Sequence, residues 1–410
     1  MKLLQVDTLA EAREKLEKVW KDRRMETEDI PLETAHGRVL AEDIRAGEDI
    51  PGFRRSSVDG YAVCAKDTAG ATESIPVFLE IVEEVSIGHA AGKRIENGQC
   101  AYVPTGGMIP EGADAMVMVE YCELFDENHA ALYQSVPHGK FVVEPGEDVK
   151  AGSFLLSRGT VLGPAQIGAL AAAGVSSVPV FVPWKVGILS TGDELVSVDE
   201  TPGPGQVRDI NTWALRAFAA RSGMEVVVTR TLADDEGLLE AAVSDAMKSC
   251  DVVFTSGGSS QGKKDMTEEI LSRVSGGNVF THGLALKPGK PTILGYDRET
   301  GTLLGGLPGH PVAALTVFKL LFIWLWKRQT GQREDFGIMA RMKSNLASAP
   351  GKTTCLLVRL SRTEEGFAAE PILGKSGLIT TMAEADGYVM IDMNREGLKA
   401  GELVEVHRLG

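Results

Sequence analysis

Hydrophobic residues recur along the chain with changing periods, and each change of period marks a change of architecture. Residues 8–20 repeat at helical spacing. Leu9, Ala12, Leu16, Val19 and Trp20 fall on one face, and Thr8 with Glu11 supplies a capping box. From about 46 to 149 the helical period gives way to short β-rich runs (PVFLEIVEEV, CAYVPT, AMVMVEY, FVVE) broken by Gly/Pro turns, which predicts a mostly β module. Residues 150–182 carry a glycine-punctuated helix, PAQIGALAAAGV.

Near Val186 the pattern changes again. Strands are expected at Val186–Leu189, Glu225–Thr229 and Asp251–Thr255, with strand-like runs near Val279 and Thr292. Between them lie a helix capped by Asn211 and ending at Gly223, a helix after LADDEG, and a helix over Met266–Val274. A helix from Val312 closes the block. Strands alternating with helices of this length predict a parallel, doubly wound α/β domain whose ligand sits off the C-terminal ends of the strands. From about 331 to 410 the runs CLLVRLS, GYVMID and GELVEVHRL predict a small β domain.

Composition narrows the class. The 410 residues are 43% hydrophobic and 24% charged, ordinary for a soluble protein with more than one core. The longest apolar stretch, Val312–Trp326, contains Lys319 and is too short for a membrane span, so a buried helix is expected. The N-terminus lacks a signal-peptide core, and five dispersed cysteines without a C-x-x-C pair fit a reducing cytoplasm. A net charge of −15 without a basic run argues against nucleic acid. It leaves room for an anionic small molecule held by a local cluster of donors.

The loops expected at the strand ends carry the candidate chemistry. LSTGDEL places Glu194 just past a strand, and LADDEG offers Asp234 and Asp235. TSGGSSQGKKD combines Ser256, Gly257, Gly258, Ser260 and Gly262 with Asp265; glycines admit close backbone approach, and a following helix start favours anions. ALKPGKP presents Lys287. LPGHP (Pro308, Gly309, His310, Pro311) opens a helix with Pro311 in its first turn. Each has a plainer reading: a tight turn for SGGSSQG, chain shaping for LPGHP, helix caps for Asp234, Asp235 or Asp265, and a solvated loop for Glu194. Grouped at one sheet edge, the carboxylates Glu194, Asp234 and Asp265 suggest a site for Mg²⁺ bridging to phosphate. Asp59 in SSVDGYAV and Asp148 in EPGEDV read alone as turn residues.

Taken together and in order, PGFRRSSVDGYAV, PTGGMIPEGADAMVMVE, GEDVKAGSFLLSRGTVLG, ILSTGDEL, GQVRDIN, DVVFTSGGSSQGKKDMTEEIL, LALKPGKPTILG and LPGHPVAAL resemble the molybdopterin molybdenumtransferase family, the MoeA type shared with the E domain of gephyrin. The resemblance implies an elongated four-part subunit. Residues 1–45 plus 150–182 would form an α+β linker and dimerisation domain, 46–149 a β-rich module, 183–330 the doubly wound molybdopterin-binding α/β domain, and 331–410 a β-barrel-like domain. It also implies a homodimer in which the β module of one subunit faces the α/β domain of the other. Asp59, Asp148, Glu194, Asp234 and Asp265 match that family's active-site carboxylates. Thr105, Lys287, Pro308, Pro311 and Ser376 match its further site positions. The chain departs at His310, where many relatives have Asn, at Gly283, where some have a basic residue, and at Arg54–Arg55. The sequence reading expects Arg54, Arg55 or His310 to supply the cation absent at Gly283.

The implied reaction inserts molybdate into adenylylated molybdopterin with Mg²⁺-dependent release of AMP. Backbone N–H groups of Ser256–Ser260, the LPGHP helix start and Lys287 would hold the oxyanions. The adenylyltransferase that makes this substrate and the enzymes that accept the cofactor are the implied partners. The competing readings are the adenylyltransferase itself and a carrier or scaffold without chemistry; tungstate could take the place of molybdate.

Overall fold

The computed structural model describes residues 6–21, 23, 25–257, 263–348 and 350–409, with 263–265 by backbone alone. The first helix, Leu9–Trp20, starts at the expected box: Thr8 Oγ1 accepts from the Glu11 N–H at 3.2 Å and Glu11 Oε2 accepts from the Thr8 N–H at 2.8 Å. Its buried Ala12, Leu16 and Trp20 belong to the core of the α/β block.

That block is a six-stranded sheet ordered Glu225–Leu232, Lys185–Thr191, Val252–Gly257, Leu303–Leu307, Ile293–Tyr296, Val279–His282. The first four strands are parallel. The sequence predicts a parallel sheet throughout, but the last two are antiparallel to their neighbours. The reason is connection length. Only a short turn links Tyr296 to Leu303 and no helix lies between His282 and Ile293, whereas a parallel crossover needs a dozen or more residues, usually helical. Helices cover both faces, as in a doubly wound fold. Asn211–Arg221 and the run after Pro311 bury their apolar sides on one face, and Glu236–Ala246 and Lys263–Val274 cover the other.

The β-rich stretch contains a six-stranded sheet with cores on both sides of strands Gly60–Val63 and Gln99–Val103. The C-terminal sheet closes on itself, because Thr353–Thr363 pairs with both Gly366–Pro371 and Gly387–Ile391. A two-residue strand from the α/β block, Leu286–Lys287, adds to it in parallel beside Thr353–Thr354.

The apolar stretch after Val312 is a buried helix, as expected. It runs α over Pro311–Val317, π over Phe318–Ile323 and α over Trp324–Thr330. Phe322 packs edge-on to Phe254 of the sheet, 4.5 Å between centroids. Further along, Trp326 packs on Trp184 at 5.1 Å, and Trp184 on Trp20 at 4.8 Å. Arg13 of the first helix donates Nε and Nη2 to the Leu320 carbonyl inside the π turn, at 3.0 and 2.8 Å. Among the described residues no helix is long and apolar enough to cross a membrane.

Lys319, in the π turn, donates to the Leu409 carbonyl at 2.9 Å and lies 5.8 and 5.9 Å from the rings of Phe218 and Tyr388. Burial lowers its pKa from 10.5 to about 8. Below pH 8 the amine is protonated folded and unfolded, so its contribution is flat. Between pH 8 and 10 the unfolded chain keeps a proton that the folded chain has lost, so stability from this group rises with pH. Wild type should therefore gain stability relative to Lys319→Met over that interval, read as the gap between urea midpoints. A gap that does not change with pH would show that Lys319 stays charged in the fold.

Candidate functional site: a lysine-lined pocket at the edge of the α/β sheet

Four parallel strands deliver their C-terminal ends side by side. Residue Thr191 pairs with Leu232 on one side and with Gly257 on the other, and Ser256 pairs with Leu307. The loops that follow therefore stand in the order Asp234, Gly192–Glu194, Ser256–Gly257 and Pro308–Pro311, roughly 4.8 Å apart per strand. Gly257 is required at its position: φ is +133° and a Cβ would lie 2.1 Å from the Thr191 carbonyl oxygen.

Two acidic loops meet at one end of this edge. The contact runs through Asp193, which the sequence reading passed over: Asp193 Oδ1 accepts from the Asp234 N–H at 3.0 Å. Asp234 is half-buried and Glu194 is exposed. Asp235 takes the plainer role weighed for it and caps Glu236–Ala246, its Oδ1 accepting from the Leu238 N–H at 2.8 Å. Asp265 is not a cap, because its helix begins at Lys263 and encloses it. Gly258, Ser260 and Gly262 lie outside the described residues, as does the side chain of Asp265. Among the described residues, no group of three or more His, Cys, Asp or Glu is placed to hold a metal ion.

At the middle of the edge the expectation for Asn211 is corrected. It is the first helical residue rather than the cap, and the Thr212 N–H is satisfied instead by Asp209 Oδ1 at 3.1 Å. Asn211 is buried, and its Nδ2 donates to Ser256 Oγ at 2.6 Å and to the Gly309 carbonyl at 2.9 Å. One amide thus ties the Gly-rich strand end to the LPGHP turn. Spacing alone could not distinguish this role from an ordinary cap.

Beyond Gly309 the edge opens into a cavity of about 820 Å³ between the α/β block and the C-terminal barrel. The structure brings together here Lys287, Pro308, Gly309, His310 and Ser376, which are separated by up to 89 positions (376 − 287) in sequence. His310 Nδ1 and Ser376 Oγ are 2.7 Å apart, and the Val312 N–H donates to the Ser376 carbonyl at 3.1 Å. Pro311 occupies the first turn of the helix behind them. Lys290, Lys352 and Lys375 also line the cavity, and among the described residues no Asp or Glu does. No ion pair among the described residues engages any of these four lysines. A chain of net charge −15 thus keeps one pocket cationic.

Arg54 and Arg55 are not at this pocket within the chain. Arg54 Nε pairs with Glu144 at 3.2 Å and its Nη1 donates to the Ala113 carbonyl at 2.9 Å, while Arg55 pairs in a strand with Val143. Of the three residues expected to compensate for Gly283, only His310 lines this cavity. Gly283 itself has φ of +99°, and a Cβ there would meet Val6 at 2.9 Å. In the β-rich stretch, Asp59 and Thr105 come together: Asp59 Oδ1 accepts from the Thr105 N–H at 2.8 Å. Asp148 sits in a turn whose N–H donates to the Ile50 carbonyl at 3.0 Å. Among the described residues, no hydrogen bond or ion pair joins 46–149 to 183–409.

A cationic pocket and a glycine strand end on the carboxyl edge of a doubly wound sheet define a class of α/β proteins that bind anionic small molecules. Comparison with known proteins narrows the class. Residues 7–174 match the family model for the MoeA N-terminal region (domain I and II), 187–327 the one described as "Probable molybdopterin binding domain", and 339–409 the MoeA C-terminal region (domain IV). The molybdopterin molybdenumtransferase of Bacillus subtilis is 33% identical over 93% of this chain and 89% of its own length. That of Staphylococcus aureus is 31% identical over 92% and 90%. A crystal structure of the molybdopterin biosynthesis MoeA protein of Pyrococcus horikoshii superposes with a TM-score of 0.79 at 36% identity, covering 99% of this chain and all of that one. A second P. horikoshii MoeA structure gives 0.81 at 30% identity, over 98% and 99%. The chain belongs to the MoeA-type molybdopterin molybdenumtransferase family, a family of transferases of molybdenum cofactor biosynthesis.

Asn211→Ala removes both bonds that join the two central loops and leaves buried acceptors behind. Such a loss costs about 1–3 kcal/mol, and equilibrium urea unfolding should show it. An unchanged midpoint would mean that the bridge contributes no stability.

Proposed function

We propose that this chain inserts molybdate into adenylylated molybdopterin and releases AMP. The observation that carries the reading is the pocket lined by four lysines, with no carboxylate among its described residues, beside the glycine strand end. Both reactants are negative. At about 4 Å and an effective dielectric of ~20, each unit pair of charges is worth roughly 4 kcal/mol, repulsive between the substrates and attractive to each lysine. The lysines offset the repulsion that would otherwise keep the substrates apart.

Molybdate, as substrate, sits against Lys287, His310 and Ser376, with the helix start at Pro311 adding its dipole. The pterin phosphate lies along Ser256–Ser260, where glycines allow backbone N–H groups to reach it. A molybdate oxygen or a water attacks phosphorus, the P–O–P bond breaks and AMP leaves; as the two thiol sulfurs bond the metal, one molybdate oxo ligand departs as water with the two protons that the thiols give up. Pro308 and Gly309 shape the wall between the two subsites. Glu194, Asp234 and Asp265 are the oxygen donors that would hold Mg²⁺, which when bound neutralises pyrophosphate charge. No three-carboxylate group forms among the described residues.

Asp59, Asp148 and Thr105 enter from a second copy in a homodimer. Their exposure, and the absence of bonds from their module to 183–409 among the described residues, support that assignment. The cytoplasm suits the five free thiols. Adenylyltransferase and cofactor-accepting enzymes would work before and after this step.

The test is AMP release by the purified protein given adenylylated molybdopterin, Mg²⁺ and either molybdate or tungstate. Asp265→Ala should abolish release without unfolding the chain; near-normal turnover would remove Asp265 from the reaction. Lys287→Ala should raise the KM for molybdate about 10- to 100-fold, the scale of one charge-assisted hydrogen bond. Consumption of ATP with molybdopterin would identify an adenylyltransferase instead. Ligand retention without any AMP release would identify a carrier.

A further inference from the structure

The sheet of the β-rich stretch ends in an unusual edge. Its last strands are Val77–Glu84, His129–Leu132 and Cys122–Leu124, the last of them unpaired on its outer side. The apolar cluster that covers one face around Ala62, Ala101 and Met116 includes no residue of 119–132. Large apolar side chains emerge into solvent at this edge. Phe78 is 51% exposed, Leu124 70% and Phe125 67%. Phe78 stands in register with Ala131 and Glu123, and its ring meets that of Phe125 edge-on at 4.8 Å. Two exposed rings packed on each other above a buried alanine make a preformed apolar platform rather than scattered surface residues.

The rim of the platform is predominantly acidic, with Lys93 at its far end on the Val82 carbonyl. Residues 73–84 and 119–131 hold eight Asp and Glu and neither Lys nor Arg. The polar side chains nearest the rings are already tied back. Tyr133 donates to Glu123 at 3.0 Å, and Asp126 pairs with His129 at 3.0 Å. These contacts hold the carboxylates beside the rings instead of letting them fold over them.

We infer that this edge is a docking surface for a protein partner that presents an apolar side chain ringed by lysine or arginine. Charge decides the occupant. A second copy using the same face would bring carboxylates against carboxylates, and like-charge contact across an interface costs several kcal/mol. A basic partner gains at the rim and fills the platform with its apolar anchor, while the free edge of Cys122–Leu124 offers backbone groups for an added strand. The two rings are set apart from the reaction machinery: three strands lie between Cys122–Leu124 and Gly60–Val63, the strand that follows Asp59, and only the start of the segment 119–131 touches it, where the Val119 N–H donates to the Asp59 carbonyl at 2.9 Å.

The experiment uses the full chain and an eight-residue fluorescent peptide of alternating Lys and Leu, with a Glu–Leu peptide as control, read by anisotropy at low and moderate salt. Wild type should bind the Lys peptide and not the Glu peptide, and binding should weaken with salt. Phe78→Ser with Phe125→Ser should weaken it by about tenfold or more, the effect of losing one buried aromatic anchor, while AMP release stays unchanged. Phe125→Ser alone serves if the double variant does not fold. Equal binding by variant and wild type, or equal binding of the two peptides, would overturn the proposal. So would loss of self-association in the variant by sedimentation, since the face would then be covered by a second copy.

Discussion

The two-residue strand Leu286–Lys287 leaves the α/β block and completes the edge of the C-terminal barrel, pairing with Thr353–Thr354. That pairing closes the cavity. Lys287 remains exposed while lining the cavity that this pairing bounds. With it, the barrel brings Lys352, Lys375 and Ser376 over the LPGHP turn. The Val312–Ser376 backbone bond and the His310–Ser376 contact fasten the other side. The concentration of positive charge in an acidic chain follows from this closure and not from composition.

Along the edge, charge is sorted. Asp193, Glu194 and Asp234 gather at the strands that lie outermost on one side, and the lysines gather past Leu303–Leu307 on the other. Ser256 and Gly257 stand between, fixed to the lysine side by Asn211. The edge thus presents carboxylates, a glycine strand end and lysines in a set order.

Much of this was legible in the sequence, because local signals are strong where neighbouring residues decide the outcome. The capping box at Thr8 and Glu11, the strand before Gly257 and the buried helix after Pro311 all depend on contacts within a few residues. Strand direction was not legible at the far edge, because period-2 burial is the same for parallel and antiparallel strands and only the short Tyr296–Leu303 link decides. Lys287 and His310 stood in the loops expected at the strand ends, and Ser376 emerged through family likeness. Lys290, Lys352 and Lys375 did not, since nothing local marks a lysine that faces a cavity made by two separate sheets. Asn211 was misread for a related reason: its position fits a cap, and its real partners lie 45 and 98 residues away.

The helix that begins at the pocket ends under the tryptophans. From Pro311 to Thr330 it is a rod about 30 Å long at 1.5 Å per residue. A tilt of about 2° at its far end swings the near end by about 1 Å, a misplacement on the scale that costs about a hundredfold in a well-aligned site. Trp20, Trp184 and Trp326, together with Arg13 gripping the π turn, act as the bearing on which that rod is seated. The chain's first helix therefore helps fix where the pocket end of that rod lies.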